Sequence, residues 1–310
     1  MLSRSAERVY WAGRYIERAE NTARIIQQYS QLMLDLPEEV GVDWNELVEI
    51  FGAADSFAGG NGAPEEQRIL EFLVSDSESS SSLAYCIRMA RDNIRNSRDL
   101  LPQESWENVN ELYQYSRRNL ASSTQGEDRF EVLSVCIGRC QQIRGILAGT
   151  MSHHSPFHFL TIGQNLERAD MTSRIIDVAA AYLQQNERLV LRYGSTLWTN
   201  VLKSVSGFQM YRQYRQPSVE GLRVIDFLLN DGAFPRSVLA CIGTARQTAA
   251  RLRRGERLIA ALDQVQSLIP ALLPSDLDGA AVSELMDALQ KELAKAHLAV
   301  VSTWFPGADL

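Results

Sequence analysis

The sequence predicts an all-α fold, an internally duplicated helical bundle with a pseudo-two-fold relation between its halves. Three observations carry it. Ala, Leu, Glu, Arg and Gln dominate the 310 residues, and apolar positions recur at spacings of three and four. No convincing alternating strand pattern or Asn-Gly hairpin signal breaks this rhythm. Finally, GRYIERAENTARII at 13–26 is written a second time as GQNLERADMTSRII at 163–176, and a self-match of this kind marks a repeated structural unit.

Taken along the chain, a long helix is expected at 3–34, closed by Pro37, and a shorter one at 44–56, opened by Trp44. Gly59-Gly60-Asn61-Gly62 separates it from a helix at 65–74. The serine run 79–82 precedes a helix at 83–100, and Ser82 at its entrance reads as an N-cap. Ser79, Ser80 and Ser81 add hydroxyls near that helix N-terminus, in principle an anion-binding geometry. Helices at 105–122 and 128–151 follow; on the second, Cys136 and Cys140 stand four apart and face one way. Four cysteines in a chain of this length do not make a disulfide framework, so reduced, buried thiols are expected.

His153, His154 and His158 cluster at the entrance to the next long helix, 157–192. Pro156 interrupts a continuous ligand face there and no Cys or acidic pattern completes a zinc set, so no metal site is expected. A helix at 196–206 containing Trp198, a break at Pro217, a helix at 219–229 and a break at Pro235 come next. Helices at 237–252, capped by Ser237, and at 256–268 precede a break at 270–279 and a last helix at 282–302.

The self-match continues past the first motif. FLVSDSESSSSLAYCIRMAR at 72–91 aligns without a gap to FLLNDGAFPRSVLACIGTAR at 227–246, pairing Asp76 with Asp231, Ser82 with Ser237 and Arg91 with Arg246. The offset is 150 at the first motif and 155 at the second, so the second half carries a net insertion of five residues between them. The expected division is a first helical repeat at 1–152 and a second at 153–310, packed as one compact unit, since no break resembles a long linker.

Charged residues repeat more faithfully than some apolar ones. Glu17-Arg18-Ala19 recurs as Glu167-Arg168-Ala169, Glu20 as Asp170, Thr22 as Thr172 and Arg24 as Arg174. On a helical wheel Tyr15, Ile16, Ala19, Ala23 and Ile26 form an apolar stripe bordered by Glu17, Glu20 and Arg24, while Arg14, Arg18, Asn21 and Ile25 lie on the opposite side. Glu20 with Arg24 and Asp170 with Arg174 are acid-then-base pairs at i,i+4, the favourable orientation.

Two readings of these charges are open. One is an ion-pair network at the seam between the halves, because buried carboxylates survive only when paired. The other is a polar pocket in which Arg14, Glu17, Arg18, Glu20, Asn21, Arg24, Glu167, Arg168, Asp170 and Arg174 surround a concavity suited to a carboxylate, an amine or both ends of a peptide. Were Glu17 and Glu167 to approach closely, one would hold a raised pKa and become a candidate general base. Asp76, Ser82, Arg91, Asp231, Ser237 and Arg246 are possible supporting residues, the two arginines either reaching the charged helices or lying at the surface.

A formal charge of -7 argues against a general nucleic-acid or anionic-membrane binder. The N-terminus lacks a signal-peptide core and no long apolar run suggests a membrane span, so a cytoplasmic location is expected. There is no phosphate-binding loop, dinucleotide fingerprint, nucleophile elbow or metalloprotease helix motif, so no cofactor is expected and ATP use by this chain alone has no support.

LSRSAERVYWAGRYIERAENTARII at 2–26, ARDNIRNSRDLLPQESWENVNELY at 90–113, ERADMTSRIID at 167–177, SVSGFQMYRQYR at 204–215 and FLLNDGAFPRSV at 227–238 together resemble the bacterial alpha-E proteins, helical proteins named for a Glu-Arg motif. The resemblance spans almost the entire chain. It places that motif on Glu17-Arg18 and Glu167-Arg168, with Glu7-Arg8 an additional pair replaced by Phe157-His158 in the second half. It implies a genetic association with a circularly permuted ATP-grasp ligase and a transglutaminase-like protease, a system that makes and trims amide-linked peptides. The expected function is an accessory or substrate-holding protein for such a ligase. The alternative is a stand-alone enzyme of amide chemistry using the Glu17 or Glu167 carboxylate.

Overall fold

A computed structural model describes residues 2–37, 40, 42–57, 65–126, 128–181, 187–214, 218–269 and 278–305. Among them are thirteen α-helices and one π-helical turn, and no strand: α1 (Ser3–Asp35), α2 (Asn45–Ile50), α3 (Glu65–Leu70) running into the π turn Glu71–Ser75, α4 (Leu83–Arg95), α5 (Gln103–Ser123), α6 (Arg129–Thr150), α7 (Ser155–Ala180), α8 (Glu187–Ser204), α9 (Phe208–Tyr214), α10 (Gly221–Asn230), α11 (Val238–Ala249), α12 (Glu256–Leu268) and α13 (Gly279–Trp304). The all-α expectation holds. No helix among the described residues is long and apolar enough to cross a membrane. The expected breaks at Gly59–Gly62 and Pro217, and most of 270–279, lie outside the described residues.

Helix ends follow local chemistry. Ser82 accepts a hydrogen bond from the Tyr85 N–H at 3.0 Å and Ser237 from the Ala240 N–H at 3.1 Å, so both are N-caps as their sequence position implies. Asp278 caps α13 in the same way, which starts that helix a turn earlier than expected. The helix expected at 44–56 stops at Ile50 because Gly52 adopts φ +59° and the Gly52 and Ala53 N–H groups bond back to Glu49 and Val48, closing a Schellman motif. The helix expected at 83–100 stops at Arg95, where the polar run Asn96 to Asp99 has no apolar face to bury and Pro102 sets a new start. Two expectations are corrected outright: the helix placed at 157–192 ends at Ala180, and the one placed at 196–206 already begins at Glu187.

α1 and α7 form the central pair. Around α1, helices α4, α5 and α6 close a four-helix ring in which each packs on the next; around α7, helices α11, α12 and α13 do the same. α8 crosses to pack on α1, and α2 crosses to pack on α7. The two long helices run past each other at Gly13 and Gly163: a Cβ on Gly13 would strike the Leu160 carbonyl oxygen, and one on Gly163 the Tyr10 carbonyl oxygen. Backbone-to-backbone approach at this point is what brings the charged motifs, one turn further along each helix, within reach of each other.

The four cysteines are free and buried. Burial pushes the Cys86, Cys136 and Cys241 thiols up to about 12 and Cys140 well above its ordinary value. At about pH 8 the native protein is therefore expected to leave a thiol-disulfide reagent such as DTNB unreacted, and to release all four thiols on unfolding. Rapid reaction of the folded chain would contradict this packing.

Candidate functional site

α1 is buried nearly all round, which a soluble helix achieves only when other elements cover each face. Glu17, Glu20, Asn21 and Thr22 are as inaccessible as Ile16 and Ile26. The two Glu-Arg motifs meet and exchange partners. Arg18 forks onto Glu167, with Nε 2.5 Å from Oε1 and Nη2 3.0 Å from Oε2. Arg168 forks onto Glu17 in the same way, at 3.0 and 2.7 Å. Such bidentate pairs fix orientation as well as charge.

The surroundings of the two glutamates then diverge. Glu17 Oε1 takes a second donor, Arg236 Nη1 at 2.9 Å, and Oε2 takes Arg144 Nη1 at 3.1 Å. Arg236 also reaches Asn21 Oδ1 at 2.7 Å and, through Nη2, Glu20 Oε1 at 2.9 Å. Glu20 Oε1 accepts as well from Arg24 at 2.6 Å and from Gln141 at 3.3 Å. Arg144 Nη2 lies 2.9 Å from Glu20 Oε2, a charge contact without hydrogen-bond alignment. This is a closed cluster.

Glu167 is served differently. Its Oε2 takes Arg14 Nε at 2.7 Å besides Arg18, whereas Oε1 takes only Arg18 among the described residues. Beside it Asp170 pairs with Arg174 at 2.9 Å, and the Arg174 guanidinium lies over Gly52, where a Cβ would come within 2.5 Å of Nη1. Between them is a cavity of about 200 Å³ lined by Arg18, Ser80, Ser81, Glu167, Asp170 and Arg174, with Phe51 and Met171 as its apolar wall. The site residues expected from sequence are thus brought together, but into one filled cluster and one hollow one.

Both glutamates are held ionised. Burial would raise each pKa, but Arg168, Arg236 and Arg144 outweigh it and hold Glu17 well below the carboxylate range, while Arg18 and Arg14 bring Glu167 down to about 2. The condition set for a raised pKa is not met: the glutamates do not share a site, because each is enclosed by the other helix's arginine. Folded-state values below the unfolded one stabilise the protein fully above about 4.5 and lose that contribution as pH falls toward 2. The urea midpoint is therefore expected to drop between about pH 5 and pH 3, and a flat profile there would exclude these ion pairs.

The supporting residues serve local structure. Asp76 Oδ1 accepts from the Glu78 and Ser79 N–H groups, and Asp231 Oδ1 from those of Ala233 and Phe234, both closing turns. Ser82 and Ser237 donate back to the Asp76 and Asp231 carbonyls besides capping. Of the two alternatives open for Arg91 and Arg246, reach to the charged helices is not what the structure has. Arg91 bonds Asn110 and lies over the Tyr113 ring, and Arg246 pairs with Asp263 on α12, because both point along their own bundles. Among the described residues no group of His, Cys, Asp and Glu is placed to hold a metal.

Sequence reasoning missed Arg144, Gln141 and Arg236. Arg236 sits immediately before the Ser237 cap, and the position aligned with it in the first half is Ser81. A search for repeated charges passes over it because it is not repeated.

A comparison with protein-family models matches residues 1–305 to a family described as a predicted alpha-helical domain with a conserved ER motif. No curated protein and no solved structure matches the chain.

Proposed function

The chain belongs to the Alpha-E family, and from that premise we propose that it is an accessory, substrate-holding protein for an ATP-grasp amide ligase, gripping a peptide or amino acid in the cavity beside Glu167. The observation that carries this reading is the mixed lining of that cavity. Glu167 and Asp170 line it with carboxylates that suit an ammonium, while Arg18, Arg174, Ser80 and Ser81 are residues able to donate to a carboxylate. Both ends of an amino acid or peptide terminus find a partner there. The ligase, and a transglutaminase-like protease that trims its product, come from the family resemblance.

The alternative, an amide-bond enzyme using Glu17 or Glu167 as general acid or base, has less support. A carboxylate engaged by two or three guanidinium groups and depressed in pKa is a poor proton acceptor near neutral pH.

Affinity co-purification of the tagged chain from its own host at native expression level, with proteins identified by mass spectrometry, tests the proposal. Recovery of an ATP-grasp ligase is expected. Its absence under mild, low-salt conditions would overturn the stable-complex reading.

A further inference from the structure

We propose that the cavity beside Glu167 binds a guanidinium group, so that its ligand is arginine or an arginine side chain; this rests on the cavity being the ligand site proposed above. The template is inside the molecule. Five residues around the Arg236 guanidinium have counterparts in the sequence match: Glu17 with Glu167, Glu20 with Asp170, Asn21 with Met171, Arg24 with Arg174 and Arg168 with Arg18, while Arg144 has none. All five counterparts line the cavity, and the residue aligned with Arg236 itself is Ser81, at the cavity edge. The hollow therefore lies where the other cluster holds a guanidinium.

Unspent bonding capacity agrees. Arg236 Nη1 supplies the second donor to Glu17 Oε1, and Glu167 Oε1 has one donor only among the described residues. Arg236 Nη2 reaches Glu20 Oε1, and Asp170, one methylene shorter, leaves room at the matching place. Charge agrees as well. Arg14, Arg18 and Arg174 exceed Glu167 and Asp170 by one, just as Arg24, Arg144 and Arg168 exceed Glu17 and Glu20 by one before Arg236 is counted. A guanidinium in the cavity reproduces the balance that the closed cluster already tolerates. Phe51 and Met171 provide an apolar wall for the aliphatic stem.

Isothermal titration of the purified full chain with arginine, its neutral isostere citrulline, agmatine, Gly-Arg-Gly, alanine and glutamate tests this. Arginine is expected to bind at least about tenfold more tightly than citrulline, the loss of one charge-assisted pair. Agmatine and Gly-Arg-Gly separate a free arginine ligand, which needs its carboxylate, from a peptidyl side chain, which does not. Ser81→Arg fills the hollow with a tethered guanidinium and is expected to abolish binding without lowering the melting temperature. Should that variant not fold, Asp170→Asn decides, with an expected weakening of arginine binding by about tenfold. Citrulline binding equal to arginine, or binding unchanged in Ser81→Arg or Asp170→Asn, overturns the proposal. Binding of alanine or glutamate but not of arginine and agmatine would remove the guanidinium assignment and leave the ligand site standing; no binding by any of them would remove both.

Discussion

Replacing Glu17 by Gln is expected to cost the fold about 3–5 kcal/mol, as breaking a buried ion pair from one side does. Glu17 is fully buried and receives four hydrogen bonds from Arg168, Arg236 and Arg144. An amide of the same shape keeps one acceptor oxygen and turns an N–H₂ toward guanidinium donors. Three buried cations then lose their shared counter-charge. Urea denaturation near pH 7, followed by far-UV circular dichroism, measures the loss directly. Glu167→Gln is expected to cost less, because among the described residues it pairs with two arginines, Arg14 and Arg18. Near-unchanged stability of Glu17→Gln would show that the closed cluster is not a scaffold.

The second large effect is expected at the helix crossing. Gly13→Ala or Gly163→Ala places a methyl group against a backbone carbonyl that belongs to a packed helix and has no flexible end to yield. Overpacking of this kind costs about 1–3 kcal/mol and occasionally more. Separation of α1 and α7 also stretches the reciprocal Arg18–Glu167 and Arg168–Glu17 forks one turn away. The double variant is expected to lose less than the sum of the singles, since the first methyl already opens the seam that the second would strike. Melting temperatures of the two single variants and the double variant check this, and an unperturbed double variant would contradict the close approach.

The seam and pocket readings of the repeated charges divide between the two clusters. Around Glu17 the arginines and carboxylates consume one another, so those charges serve the scaffold. Around Glu167 the same residue types enclose a cavity. The difference traces to positions that are not repeated: Arg236, aligned with Ser81, and Arg144 on α6.

Much of this is legible in the sequence itself. Residue spacing dictates the helices, because an amphipathic period and Ser82 and Ser237 at helix entrances are local properties that need no tertiary partner. The repeated Glu-Arg pairs point to residues that the structure brings into contact. Helix ends were less legible where positive φ decides them, as at Gly52 and Ser206, since several residues tolerate the alternative. Tertiary structure alone decided that Arg18 crosses to Glu167 and Arg168 to Glu17, that Arg236 and Arg144 complete only one cluster, and that the other stays hollow. Those facts depend on how closely two helices far apart in sequence approach and on which side chain fills the space between them. Local sequence carries no measure of either.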